Sequence, residues 1–262
     1  MSGLLVTRDG PVARVTLDRP DVRNAFDAAL IGELRDAFDG FGRETPEALG
    51  VVVLSGVGPV FSAGADVEWM RASIGLSVAD NERDAAAMQS MFTAIDECPV
   101  PVIARVHGAA LGGGMGLCAV ADIVVAGAET VFGFTEVRLG IIPAVIGTFV
   151  LPKIGESHAR ALFPGGQRFD AERALRIGLI HEVVPDAARL DARVEELASE
   201  LLAAGPAAGR AAKALIRELR ALDADGAKRH AVRHAAQQRT SAEGQEGLLA
   251  FLEKRRPTWD RG

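Results

Sequence analysis

Two glycine-rich loops are the places where this chain's backbone could do chemistry: Phe61–Asp66 (FSAGAD) and Gly108–Gly116 (GAALGGGMG). Each follows an apolar run that reads as a buried strand, Val51–Leu54 before the first and Pro101–Val106 before the second. Each leads into a segment of helical character. A glycine has no side chain, so a ligand can come close to its backbone N–H. Two such loops on neighbouring strands could aim two amides at one oxygen and stabilise negative charge developing there. The same glycines also suit tight turns or close helix–strand packing, and either loop alone is open to both readings. Spacing removes three other motifs. Gly112-Gly113-Gly114-Met115-Gly116 does not fit G-x-G-x-x-G, and the chain contains neither G-x-x-x-x-G-K-[ST] nor G-x-S-x-G. A dinucleotide fingerprint, a P-loop and a serine elbow are therefore unsupported.

The elements that must hold these loops can be sketched. Leu4–Thr7 and Val12–Leu17 pair as strands around an Asp9-Gly10 turn. Asp27 caps a helix whose apolar stripe is Leu30, Ile31, Leu34, Phe38 and Phe41. Val51–Leu54 is short, β-branched and uninterrupted, as in a strand covered on both faces. Ser73–Ala79, broken by Gly75, reads as a mobile loop. Helical period returns over Ala85–Glu97, where Met88, Met91, Phe92 and Ile95 form a core stripe. Ile123–Val125 is another strand. Strands separated by helices favour an α/β fold with a parallel sheet. After Pro185, alanine, leucine, arginine and glutamate dominate through Phe251, and Pro206 marks a helix start. Such a helical tail needs a surface to dock on, its own core or another subunit.

Composition narrows the function. The 262 residues are 48% apolar, enough for one large domain or a domain with an appendage. A net charge of −6 argues against nucleic acid as the main partner. The basic cluster Lys254-Arg255-Arg256 suits a solvated face or a small phosphorylated ligand. Cys98 and Cys118 have no metal-site spacing and read as reduced, buried thiols. With no apolar leader region and no run of about 18 apolar residues, a cytoplasmic protein outside the membrane is expected. His107, at a strand end, reads as structural. His230 and His234 have i, i+4 ligand spacing, but no glutamate follows His230 and the helix is otherwise polar. They read as a solvated face rather than a zinc site.

Four segments in order carry a resemblance: RPDVRNAF (Arg19–Phe26), FSAGAD, VIARVHGAALGGGMGLCAVADIVVAG and FGFTEVRLGIIP. Together they resemble the successive signatures of the crotonase superfamily, the enoyl-CoA hydratase/isomerase family, over nearly the whole chain. The resemblance implies a spiral of ββα turns over residues 1–200 and a C-terminal helical segment over 201–262 that builds a homotrimer or hexamer. It implies an acyl-CoA thioester as substrate, coenzyme A being part of that substrate, with no separate cofactor and no metal. The oxyanion donors would be the amides of Ala65 and Gly113. Arg23, Ala63, Ala65 and Asp66 would lie against CoA, with Phe251 and Lys254 reaching the CoA of a neighbouring subunit. A lysine meets a phosphate favourably. Family position gives Asp66 no catalytic role, and a helix N-cap suits it.

A thioester enolate also needs a base. Typical hydratases of this family carry one glutamate just past the GGG run and another in the F-G-x-x-E segment. Here those positions are Gly116 and Glu136. Glu136 is left as the acid/base, its pKa raised toward neutral by an apolar setting near Phe132, Phe134 and Ile141. Loss of the first carboxylate leaves two enzyme readings, a hydratase working with Glu136 alone and a Δ3–Δ2 enoyl-CoA isomerase with Glu136 as sole base. The segments GADVEWM and TEVRLGIIPAVIGTFVLPKIGE resemble a methylglutaconyl-CoA or carboxygeranoyl-CoA hydratase subgroup, which favours the hydratase and a branched substrate. A non-catalytic acyl-CoA-binding relative is the alternative of another class.

Overall fold

The computed structural model describes residues 2–260. Strands β1 (Leu4–Asp9) and β2 (Val12–Leu17) pair antiparallel, as the Asp9-Gly10 turn requires. Helix α1 (Ala28–Phe41) starts where Asp27 Oδ1 accepts the Leu30 amide at 2.8 Å, and it buries the five expected residues Leu30, Ile31, Leu34, Phe38 and Phe41. The second Asp27 oxygen pairs with Arg19 at 2.8 Å.

From β3 (Val51–Gly56) onward one step repeats: a strand joins a large sheet, the chain crosses to a small sheet, and a helix follows. After β3, Ser62 bridges to Ala110 of the small sheet and leads to α2 (Val67–Ser73) and α3 (Val78–Asp96). Strands β4 (Val102–Val106) and β5 (Ala109–Leu111) lead to α4 (Gly113–Val120). Strands β6 (Ile123–Gly127) and β7 (Val131–Gly133) lead to a 3-10 turn, Glu136–Leu139, and α5 (Ala144–Leu162). The chain then adds β8 (Arg168–Asp170), α6 (Ala171–Arg176) and β9 (Glu182–Val184). The large sheet runs β1-β2-β3-β4-β6-β9, parallel beyond the first pair, and the small one β5-β7-β8. This is the expected α/β spiral of ββα turns.

Both faces of the large sheet are covered, which is why its strands read as unbroken apolar runs. Val52 and Leu54 face the main core with α1, α3, α4 and α5. Val51 and Val53 face the other way and pack with Leu190, Val194 and Leu197 of α7 (Ala187–Leu202). Fully burying one such side chain is worth about 1.5–3 kcal/mol.

The loop expected over Ser73–Ala79 is present but shorter, spanning 74–77 between α2 and α3. Ser77 Oγ accepts the Asp80 amide and the Asp80 carboxylate accepts the Ser77 amide, a reciprocal cap that starts α3 at Val78 instead of Ala85. Its first turns carry Asp80, Asn81, Glu82 and Arg83, so the apolar period is silent there. The tail is helical as expected: α8 (Pro206–Arg220), α9 (Ala224–Thr240) and α10 (Ala242–Leu252), with Pro206 at the first position. Arg210 ties α8 to the carbonyls of Glu44, Thr45 and Leu49, and Lys213 ties it to Val100 and Asp122. No described helix is long and apolar enough to cross a membrane. Asp27→Ala removes a cap and an ion pair. It is expected to lower unfolding free energy by about 1–2 kcal/mol in a urea titration, whereas Asp27→Ser, which keeps a capping oxygen, loses less.

Candidate active site

The first glycine loop, the start of α4 and the 3-10 turn occupy the same place in three successive turns, each just past the chain's passage through the small sheet. They line one cavity of about 350 Å³, together with Phe26, Trp69 and Met88. A cleft of about 1080 Å³ between the core and α8–α10 is larger. Most of its carboxylates are committed, however: Glu243 accepts the Ala207 and Ala208 amides, Glu246 pairs with Arg255 and Glu195 with Arg14.

Within the smaller cavity the amides of Ala65 and Gly113 have no acceptor among the described residues. Around Ala65, the Phe26 amide donates to Gly64 O at 2.7 Å and the Asp66 amide to Phe26 O at 2.8 Å. That bridge consumes the groups on either side of the Ala65 N–H and leaves it unused. Gly113 opens α4, where first-turn amides have no intrahelical partner. Nearby, Gly112 N donates to Gly133 O and Met115 N to Gly112 O; the Gly114 amide also has no acceptor among the described residues, but Gly114 does not line the cavity. The two loops touch backbone to backbone. At Gly64, φ is +92°, and a Cβ there would stand 2.9 Å from Leu111 O and 3.3 Å from Gly113 N.

The RPDVRNAF segment braces the first loop. Asn24 is fully buried; its Oδ1 accepts the Arg19 amide, and its Nδ2 donates to Val57 O and Val60 O at 2.8 and 2.9 Å. Ser62 Oγ donates to Asn24 O and accepts the Gly64 amide, while Ala63 N donates to Arg23 O. Asn24 and Phe26 lie in a motif quoted above, yet their parts in the site were not foreseen. A polar residue flanked by small and apolar ones was the available signal.

Glu136 stands across from the amides. A Cβ on Gly112 would be 3.6 Å from its Oε1. Its Oε2 is buried with no hydrogen-bond partner. Burial raises its pKa above the ordinary carboxyl value of 4.5. The apolar setting comes from Phe26, Leu139, Ile141, Ile142, Val145 and Ile146 of the lining. Phe132 and Phe134 contribute only indirectly, being fully buried against Phe169 and Phe163. At Gly116 a Cβ would come 2.5 Å from Phe92 Cζ and 2.7 Å from Ile146 Cγ2. The place of the absent first carboxylate is filled by hydrocarbon.

The other candidates are more scattered. Ala63 lines the cavity, but Asp66 does not. The Asp66 carboxylate accepts the Glu68 and Trp69 amides and pairs with Arg19 at 3.2 Å, which is the N-cap duty and leaves little for CoA. Arg23 is exposed in a left-handed turn (φ +57°). Phe251, 81% exposed, and Lys254, also exposed, do not line this chain's own cavity. His107 bonds Gly58 O and Arg105. Cys98 and Cys118 are buried free thiols.

The sequence pattern of the enoyl-CoA hydratase/isomerase family matches residues 7–262. The chain belongs to that family. It is 35% identical over 266 residues to a carnitinyl-CoA dehydratase of Escherichia coli K12, covering 98% of this chain and 97% of that one. Among solved structures, an enoyl-CoA hydratase of Shewanella pealeana superposes with a TM-score of 0.92 at 37% identity, covering 98% of this chain and 96% of that one. AtuE of Pseudomonas aeruginosa superposes at 0.95 and 36% identity, covering 99% and 100%.

Two outcomes follow for this family member. Gly116→Glu is expected to destabilise the fold by at least about 1–3 kcal/mol in chemical denaturation, from overpacking against Phe92 and Ile146. Glu136→Gln is expected to raise Tm at neutral pH. A carboxyl whose folded pKa lies above its unfolded value loses stability as pH rises through that interval. The neutral amide avoids this loss, so the gain over wild type should vanish below about pH 4.5.

Proposed function

We propose that the protein hydrates the double bond of an enoyl-CoA thioester, with Glu136 as the only acid/base and the Ala65 and Gly113 amides as the oxyanion hole. The observation that carries this is two unpaired amides and one unpaired carboxylate oxygen converging on a single cavity. The thioester oxygen would accept both N–H groups, with the positive end of α4 adding to the field. Glu136 takes a proton from water as the water oxygen bonds to the β carbon. The electron pair moves through the α carbon to the thioester oxygen, giving an enolate. Glu136 then returns the proton to the α carbon. A base with a raised pKa suits both transfers.

The lining bears on the acyl group. Asp84 and Asn81 stand one and two turns from Met88 toward the start of α3, with Ser73 near, and no lysine or arginine lines the cavity among the described residues. Asp84 has no charged partner there. A carboxylated acyl chain of the methylglutaconyl or carboxygeranoyl kind would face Asp84 and Glu136 with no cation to receive it. The lining favours a neutral or positively charged acyl group. A carnitinyl group, as in the name of the Escherichia coli relative, is of the second kind. The CoA portion would pass Ala63 and Arg23 and, in a trimer or hexamer, meet Phe251 and Lys254 of a neighbouring copy.

The filled position 116 favours a second reading. With one base and no second carboxylate to orient water, the same site could move a proton between carbons as a Δ3–Δ2 isomerase. Loss of conjugated-thioester absorbance on 2-enoyl esters is the expected result, with crotonyl-type esters turned over faster than carboxylated ones. Absorbance gained from a 3-enoyl ester, with none lost from 2-enoyl esters, selects the isomerase instead. Glu136→Gln should lower kcat by about 10²–10⁴-fold. Wild-type kcat/KM should fall on the acid side with a pKa above 4.5. CoA binding with no Glu136-dependent turnover of either ester would leave only a binding protein.

A further inference from the structure

The helical tail holds a cluster that the proposed chemistry does not use. His230 and His234 stand one turn apart on α9, and Glu218 reaches them from α8. Glu218 Oε2 lies 2.7 Å from His230 Nε2 and 3.9 Å from His234 Nε2. The two imidazole rings are 4.0 Å apart, centre to centre. One ligand atom from each residue falls within 4.8 Å of the others. All three residues are half-buried, so the solvated face expected for the histidines needs correcting. None of the three lines the catalytic cavity.

We propose that Glu218, His230 and His234 bind a divalent transition-metal ion of the zinc class, which cross-braces α8 and α9. Two imidazoles with one carboxylate form a donor set that suits zinc, nickel or copper. A single carboxylate offers calcium or magnesium too few oxygens. Ligand bonds of about 2.0–2.1 Å in a tetrahedron set donor atoms about 3.4 Å apart. The observed 2.7 and 3.9 Å straddle that spacing and the third pair lies within 4.8 Å, so side-chain shifts on the order of an ångström would seat the ion. The neighbouring Arg217 leans toward Glu97 at 3.4 Å, which draws part of its charge away from the incoming cation. Water completes the fourth position. The ion must displace the His230–Glu218 hydrogen bond, which limits its affinity without removing it. Because the carboxylate comes from another helix, no contiguous motif announces the site.

Competing thiols and histidines are few: Cys98 and Cys118 are buried, His107 is engaged with Gly58 and Arg105, His181 accepts the Val124 amide, and His158 is a single exposed imidazole on α5. The test uses the full-length, tag-free protein after chelator treatment, titrated with zinc chloride by calorimetry and with cobalt chloride by visible absorption. The expected result is one zinc per chain, tetrahedral cobalt bands, and a rise in Tm with metal. All three should be lost in His234→Ala and in the isosteric Glu218→Gln, which retains the helical packing if alanine does not. Turnover of enoyl-CoA should be unchanged in both. No saturable binding to the wild type, or binding that survives in both variants, would overturn the proposal.

Discussion

The proposed chemistry depends on how closely two stretches of backbone approach. Gly64 lies against Leu111–Gly113 with no space for a methyl group between them. That contact is what puts two N–H groups from different turns of the spiral on one cavity. Its cost is conformational, since a residue at φ +92° leaves only glycine at ease. The buried Asn24 network offsets this by satisfying carbonyls that would otherwise be stranded under the loop.

The repeating ββα step explains why one site can draw on three segments far apart in sequence. Each passage through the small sheet delivers its next residues to the same edge, and neighbouring turns are parallel and in register there. An amide, an amide and a carboxylate thus arrive side by side without any long loop. Rigid elements hold them: a bridge at Ala65, a helix start at Gly113 and a short 3-10 turn at Glu136. Preorganisation of this kind would keep the proposed donors in place before charge develops.

What was legible in the sequence was local. The β1–β2 turn, the Asp27 cap and the uninterrupted β3 run each carry their cause within a few residues, and the structure has all three. Both glycine loops and Glu136 were visible because the motifs that hold them are contiguous. The rest needed the third dimension. The Ser77–Asp80 cap begins a helix in a polar stretch where periodicity says nothing. Asp66 looked available to a ligand because its engagement with Arg19 spans distant segments. The cation-free lining around Asp84 and the carboxylate that joins His230 and His234 are both products of helix packing.

The hydrocarbon that fills the space beside Gly116 also constrains descent. Phe92 and Ile146 sit on separate helices, and both point into the volume a larger side chain would need. A lineage in this state meets a packing penalty when an acidic group returns to that position. Shrinking the neighbours first would relieve that penalty, but each such intermediate would carry an empty hole in the core. Local packing therefore acts as a ratchet that would preserve the proposed single-carboxylate chemistry once it had arisen.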